Sequence, residues 1–203
     1  MPTVCIFGDS ITWGSSDPEG GGWVTRLRNI YEAEGLSAGK DIDVYNLGVS
    51  GDNTDDLLKR FKPEAVAREA DTILFSIGIN DSQFIVSKND NGVPISKFEK
   101  NLKELMSEAR ALTPKVAFIG LTPVDESKTT PIPWNIDKAY KKENRDRYDE
   151  VIKKICKVNG LPYLDMEEVI TTEDLSDGLH PNSRGHIKIF ETVKDFIARE
   201  SLI

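Results

Sequence analysis

Two short stretches hold residue types that could do nucleophilic chemistry. Gly8-Asp9-Ser10 follows directly on the apolar run Val4-Cys5-Ile6-Phe7, and Asp177-Gly178-Leu179-His180-Pro181 lies near the other end of the chain. A serine hydroxyl is a weak nucleophile that needs an adjacent base. His180 is one of only two histidines in the chain. Asp177 stands three residues before it, close enough within one turn of chain for acid and base to meet. Gly8-x-Ser10-x-Thr12 is a near miss to the G-x-S-x-G turn that exposes a nucleophilic serine. A structural reading stands beside this one. Ser and Asp are common helix N-caps, so Asp9 and Ser10 would cap a following helix, and Asp177 would open the turn at Gly178. The second histidine, His186, falls in the first turn of the final helical pattern and reads as a packed or capping residue.

The elements that must position these residues follow from hydrophobic patterning. Apolar runs at about 3–7, 42–46, 72–77, 115–121 and 162–165 read as strands. The longer ones are continuous, which suits strands buried on both faces. Helical spacing recurs in Trp23, Val24, Leu27, Ile30 and Tyr31, and in Phe98, Leu102, Leu105, Met106, Ala109 and Leu112. It recurs again in Tyr148, Val151, Ile152 and Ile155, and in Ile187, Phe190, Val193 and Ile197. A weaker pattern from Leu57 to Phe61 should end at Pro63. Alternating strand and helix predicts a doubly wound α/β sheet. With no linker or repeat, residues 1–203 read as one domain. Two loops, 87–95 and 122–137, are long for such a fold, and long loops are often functional.

In open α/β sheets, ligands sit outside the carboxyl ends of the strands. After the first strand come Gly8, Asp9 and Ser10. After the second come Asn46 to Gly51, and after the third Gly78-Ile79-Asn80-Asp81. About a dozen residues past the fifth come Asp177 to Pro181. Capping explains any one of these turns. It does not explain four that together supply a nucleophile, a base, an acid and several donors.

Bulk properties remove other classes. The net charge of −8 argues against nucleic acid, whose binders carry a basic face. No apolar run approaches the roughly 18 residues of a membrane span, and no signal-peptide pattern precedes the first strand. A cytoplasmic location is the expectation. Cys5 and Cys156 are too few for a disulfide framework and should be buried, reduced and inert. Nothing in the sequence specifies an oligomeric state.

With these blocks in view, the chain resembles the SGNH hydrolases, also called GDSL esterases and lipases. Ser10 lies in G-D-S-I-T, Gly48 in N-L-G-V-S-G-D, Asn80 in G-I-N-D, and Asp177 and His180 in D-G-L-H-P, in the family's order. The resemblance implies a flavodoxin-like three-layer α/β/α sandwich with a five-stranded parallel sheet of order 2-1-3-4-5. It implies ester hydrolysis through an acyl-enzyme on Ser10, with His180 as base and Asp177 as its partner. It assigns the oxyanion hole to the N–H of Ser10, the N–H of Gly48 and the amide of Asn80. The ester is expected to be a small molecule with a short acyl chain, such as an acetylated sugar or a lysolipid. An O-acyltransferase would use the same machinery. Asp9, Asp52, Asp55, Asp56 and Asp81 near the rim, with His180, could describe a metal-dependent phosphatase. Yet Asp55 and Asp56 sit where a helix should start, where acids suit its dipole, and no H-E-x-x-H or cysteine ligand pair is present. No metal and no cofactor are therefore expected. Trp134 in the second long loop, with Trp13 and Phe84, is a candidate wall of the substrate pocket.

Overall fold

Val4, Cys5, Ile6 and Phe7 are all fully buried, and their side chains divide between two separate cores. Cys5 and Phe7 face one layer of helices, while Val4 and Ile6 face the other. The same alternation puts Ile73 and Phe75 on one face and Leu74 on the opposite one. This is why the strands read as unbroken apolar runs: both faces of the sheet are covered. The computed structural model describes residues 1–38 and 41–203.

In chain order the elements are β1 (Thr3–Gly8), α1 (Ser10–Trp13), α2 (Trp23–Ala38), β2 (Asp43–Gly48), α3 (Thr54–Ala67), β3 (Thr72–Ser76), β4 (Phe84–Ile85) and β5 (Asp90–Asn91). There follow α4 (Ile95–Arg110), β6 (Lys115–Ile119), α5 (Glu126–Thr129), β7 (Lys138–Ala139), α6 (Lys142–Asn159), β8 (Tyr163–Leu164) and α7 (Ser183–Arg199). The main sheet has five strands in the order β2-β1-β3-β6-β8, all paired in parallel. Counting only its own strands, this is the expected 2-1-3-4-5. Helices α3, α4 and α6 pack on the Phe7 face through Leu57, Phe61, Phe98, Leu102, Tyr148 and Ile152. Helices α2 and α7 pack on the Ile6 face through Trp23, Leu27, Val193 and Phe196. Phe61 contacts Phe7 edge-on at 4.9 Å and Phe75 at 5.2 Å, which ties α3 to the centre of the sheet.

Several expectations need correction. Pro63 does not end α3; the helix continues to Ala67 with Pro63 inside it. Proline removes one helical hydrogen bond, but Pro63 and Lys59, whose carbonyl loses its donor, are both exposed. Leu57, Phe61 and Ala65 are buried on either side of the break and hold the helix in place. Ile30, Leu112 and Ile187 are partly exposed rather than core. The two long loops are also not structureless. β5, within the first, pairs antiparallel with β4, which precedes that loop, and β4 pairs antiparallel with β7, which follows the second, in a small three-stranded sheet of order β5-β4-β7. Among the described residues no helix is long and apolar enough to cross a membrane.

Candidate active site

Gly8 ends β1, and Asp9 is the N-cap of α1, its carboxylate accepting the Ile11 N–H at 2.9 Å. Both readings of this stretch therefore hold, for different residues. Asp9 caps, and Ser10, the first residue of α1, keeps its hydroxyl for another partner. That partner is His180, whose Nε2 lies 3.0 Å from Ser10 Oγ. Burial pushes the Asp9 carboxyl up to about 7, against the opposing hydrogen bond from Ile11.

His180 stands in a tight turn closed by the Leu175–Pro181 bridge and by the Ser176 N–H donating to the His180 carbonyl at 2.8 Å. Its Nδ1 is 2.7 Å from Asp177 Oδ2. Asp177 Oδ1 also accepts the N–H of Leu179 at 3.0 Å and of His180 at 2.8 Å. Burial raises the Asp177 pKa, but the hydrogen bonds from the His180 ring and backbone outweigh it and hold the group at about 2. An ionised Asp177 only accepts, so the imidazole proton belongs on Nδ1. The lone pair of Nε2 then faces the serine hydroxyl. The arrangement can draw a proton from Ser10 Oγ onto His180 and stabilise the imidazolium that results.

Asn80 is held at both ends of its amide. Its Nδ2 donates to the Asp52 carbonyl at 2.9 Å, and its Oδ1 accepts from the Tyr140 hydroxyl at 2.7 Å. An NH₂ group has two protons, so one remains. Behind it, buried Asp81 accepts from the N–H and hydroxyl of Thr54. This ties the turn after β3 to the start of α3. Burial pushes the Asp81 carboxyl up to about 7, against the Thr54 hydrogen bonds.

The glycine expected beside them differs from the one found. β2 runs on to Gly48, which pairs with Gly8, so the turn begins later than its apolar run indicates. The Gly48 N–H is taken by Asn46 Oδ1 at 3.0 Å. A Cβ on Gly48 would lie 2.3 Å from the Trp13 backbone nitrogen; glycine is needed there for α1 to pack on β2. The glycine at the rim is Gly51, in the left-handed region at φ 88° with open space where a Cβ would be. Among the described residues, the N–H groups of Ser10 and Gly51 have no acceptor.

These groups line a cavity of about 320 Å³ together with Gln83, Ile132, Trp134, Lys138, Tyr140 and Leu179. Trp134 is 58% exposed, at its mouth. Trp13 and Phe84 do not line it. Trp13 ends α1 with its ring in solvent. Side chains alternate along an extended segment. With Gln83 turned into the cavity, Phe84 points away, under Lys141 Nζ at 4.2 Å from the ring centre. Sequence reasoning missed Gln83, Tyr140 and Gly51. Only Gly51, within Val49-Ser50-Gly51-Asp52, left a local signal.

The remaining ionisable groups have other roles. His186 is buried, accepting the Trp23 N–H on Nδ1 at 3.3 Å and donating from Nε2 to the Ser15 carbonyl at 2.9 Å. Cys5 and Cys156 are buried free thiols, pushed up to about 12 by burial. Asp52 pairs with Arg60, Asp55 with Lys97 and Asp56 with Lys59. Among the described residues no three His, Cys, Asp or Glu side chains are grouped so as to hold a metal ion.

The family model described as "GDSL-like Lipase/Acylhydrolase family" matches residues 6–187. An acetylxylan esterase of Geobacillus stearothermophilus is 26% identical over 202 residues, which cover 91% of this chain and 88% of that protein. The rat protein named isoamyl acetate-hydrolyzing esterase 1 homolog (Rattus norvegicus) is 30% identical over 209 residues, covering 93% of this chain and 78% of its own. The crystal structure of a lipase/acylhydrolase from Enterococcus faecalis superposes with a TM-score of 0.78 at 23% identity, over 98% of this chain and 97% of that one.

Proposed function

Since the chain belongs to the GDSL-like lipase/acylhydrolase family, a family of carboxylic ester hydrolases of SGNH type, we propose that it cleaves short-chain acyl esters of polar alcohols, acetylated sugars foremost, through an acyl-enzyme on Ser10. Residues 1–203 act as one catalytic domain. The observation that carries this reading is the unbroken relay from Asp177 Oδ2 through the His180 ring to Ser10 Oγ, at 2.7 Å and 3.0 Å.

The geometry supports the following steps. His180 Nε2 takes the Ser10 proton as Oγ attacks the ester carbonyl carbon. The carbonyl oxygen becomes an oxyanion, facing the N–H groups of Ser10 and Gly51 and the free proton of Asn80 Nδ2. Such preorganised donors are often the largest single term in catalysis. His180 then gives its proton to the leaving alcohol oxygen, and the C–O bond breaks. Water, deprotonated by the same imidazole, attacks the acyl carbon; the bond from that carbon to Ser10 Oγ breaks, His180 returns its proton to Oγ, and the acid leaves. Asp177 stays ionised throughout and holds the ring.

The preference for a short acyl chain and a polar alcohol rests on the cavity. It is of modest size, and Ser50, Gln83, Asn135 and Lys138 supply polar contacts. Trp134 offers an exposed ring on which a sugar face can stack. One relative is an acetylxylan esterase, which supports the same reading. The test is a panel of esters that varies acyl length and alcohol polarity separately, with Ser10→Ala as blank. Highest kcat/KM on acetyl esters of sugars supports the reading. Highest kcat/KM on long-chain acyl or lysophospholipid esters contradicts it.

A further inference from the structure

We propose that Tyr140, backed by Gln83, is a positioning residue that fixes which face of the Asn80 amide meets the oxyanion. The proposal rests on the reading of Asn80 as an oxyanion donor.

An asparagine amide has a donor end and an acceptor end of almost the same shape. Turned about χ2, Asn80 would present its carbonyl oxygen to a developing negative charge and oppose the reaction. The hydrogen bonds around it remove that freedom. Gln83 Nε2 is 2.5 Å from the Tyr140 hydroxyl, and that hydroxyl is 2.7 Å from Asn80 Oδ1. An amide NH₂ has no acceptor capacity, and a phenol has one proton. The chain therefore runs one way: Gln83 donates to Tyr140, and Tyr140 donates to Asn80 Oδ1. At the other end Asn80 Nδ2 donates to the Asp52 carbonyl at 2.9 Å, leaving its second N–H as the one directed donor. Gln83 and Tyr140 are both buried, where such bonds are electrostatically stronger than in water. Donation into Oδ1 also polarises the amide and sharpens its N–H as a donor.

The fold places these two side chains with some expense of chain. Gln83 immediately precedes β4, and Tyr140 immediately follows β7. The pairing of Phe84 with Ala139 sets them side by side. The Tyr140 N–H donates to the Thr129 carbonyl at 3.0 Å, and the Tyr140 carbonyl accepts from the Thr129 hydroxyl at 2.8 Å. The small antiparallel sheet thus carries the Gln83–Tyr140 clamp to the end of β3, which the main sheet alone does not do.

The experiment measures kcat and KM on an acetyl ester for Tyr140→Phe, Asn80→Ala and the double variant, with melting temperatures throughout. Tyr140→Phe should lower kcat about 3- to 10-fold, the equivalent of one hydrogen bond, with KM within about twofold. In the Asn80→Ala background it should cost nothing further, because there is no amide left to orient. Equal losses in both backgrounds, an effect on KM alone, or no effect would overturn the proposal while leaving Asn80 as a donor. An unchanged kcat in Asn80→Ala would overturn the underlying reading as well. Gln83 gives a directional check that packing alone would not produce. Gln83→Glu draws the Tyr140 proton to itself and turns an oxygen lone pair toward Asn80, so its kcat should fall further than that of Gln83→Met. Equal losses for the two would count against the one-way chain.

Discussion

Ser10 Oγ lies 3.0 Å from His180 Nε2, although 170 residues of chain separate them. The contact exists because Ser10 begins the short helix at the end of β1, while the Asp177–His180 turn comes back over the same end of the sheet before α7. If the two residues act as one unit, their losses will not multiply. Ser10→Ala and His180→Ala should each remove most turnover, and the double variant should be no worse than about the weaker single one. A double variant whose loss is the product of the two single losses would mean that the residues act in separate steps.

Gly48 and Gly51 should fail in different ways. Gly48→Ala pushes a methyl group to 2.3 Å from the Trp13 nitrogen, so it should lower the melting temperature markedly. Gly51→Ala meets no neighbouring atom within 4 Å, but strains a backbone at φ 88° where the chain lines the cavity. It should lower kcat more than stability. Thermal melts and kcat on the two variants decide the matter; the reverse pattern would return the oxyanion role to Gly48.

The pH dependence of stability has two opposite contributions with defined signs. Asp177 sits at about 2 in the fold, below its ordinary value of about 4. Its contribution is therefore present above about pH 4 and is lost as pH falls toward 2. Asp9 sits at about 7, above its ordinary value. Its contribution is present below about pH 4 and is lost as pH rises to 7. Asn is as good an N-cap as Asp and carries no charge to bury. Asp9→Asn should therefore melt higher than the parent at pH 8 and close to it at pH 4. A lower melting temperature for Asp9→Asn at pH 8 would show that the Asp9 charge is not destabilising.

Trp134 distinguishes a pocket wall from a core residue. A buried tryptophan cut to alanine costs about 3–5 kcal/mol. Trp134 is 58% exposed, so Trp134→Ala should hardly move the melting temperature. It should instead lower kcat/KM for sugar acetates relative to acetates of small aliphatic alcohols. A large fall in melting temperature with unaltered preference would assign Trp134 to packing.

The parts of the molecule legible in the sequence were those where one local pattern has one structural outcome. Val4 to Phe7 reads as a strand buried on both faces, and it is one. In Gly-Asp-Ser the cap and the free hydroxyl are neighbours, and in Asp-x-x-His the carboxylate and imidazole meet within one turn of chain. Where the outcome depends on pairing elsewhere, local reading falls short. The end of β2 is set by Gly48 pairing with Gly8, so the rim glycine moves to Gly51. Pro63 reads as a helix end, yet burial of Phe61 and Ala65 around it carries the helix through. β4, β5 and β7 have two residues each, too short for any period to register. Gln83 and Tyr140, 57 positions apart, are ordinary polar residues until that sheet brings them together.

Everything proposed for the site depends on Ser10 forming a covalent acyl-enzyme. A fluorophosphonate phosphonylates an activated serine hydroxyl, and intact-mass spectrometry after exposure to one reads this out. One adduct per chain is expected, mapped to the peptide containing Ser10, with activity lost in step with labelling. Ser10→Ala should take up none, and His180→Ala should label far more slowly. Full esterase activity in Ser10→Ala, or an adduct on another residue that tracks the loss of activity, would contradict the assignment.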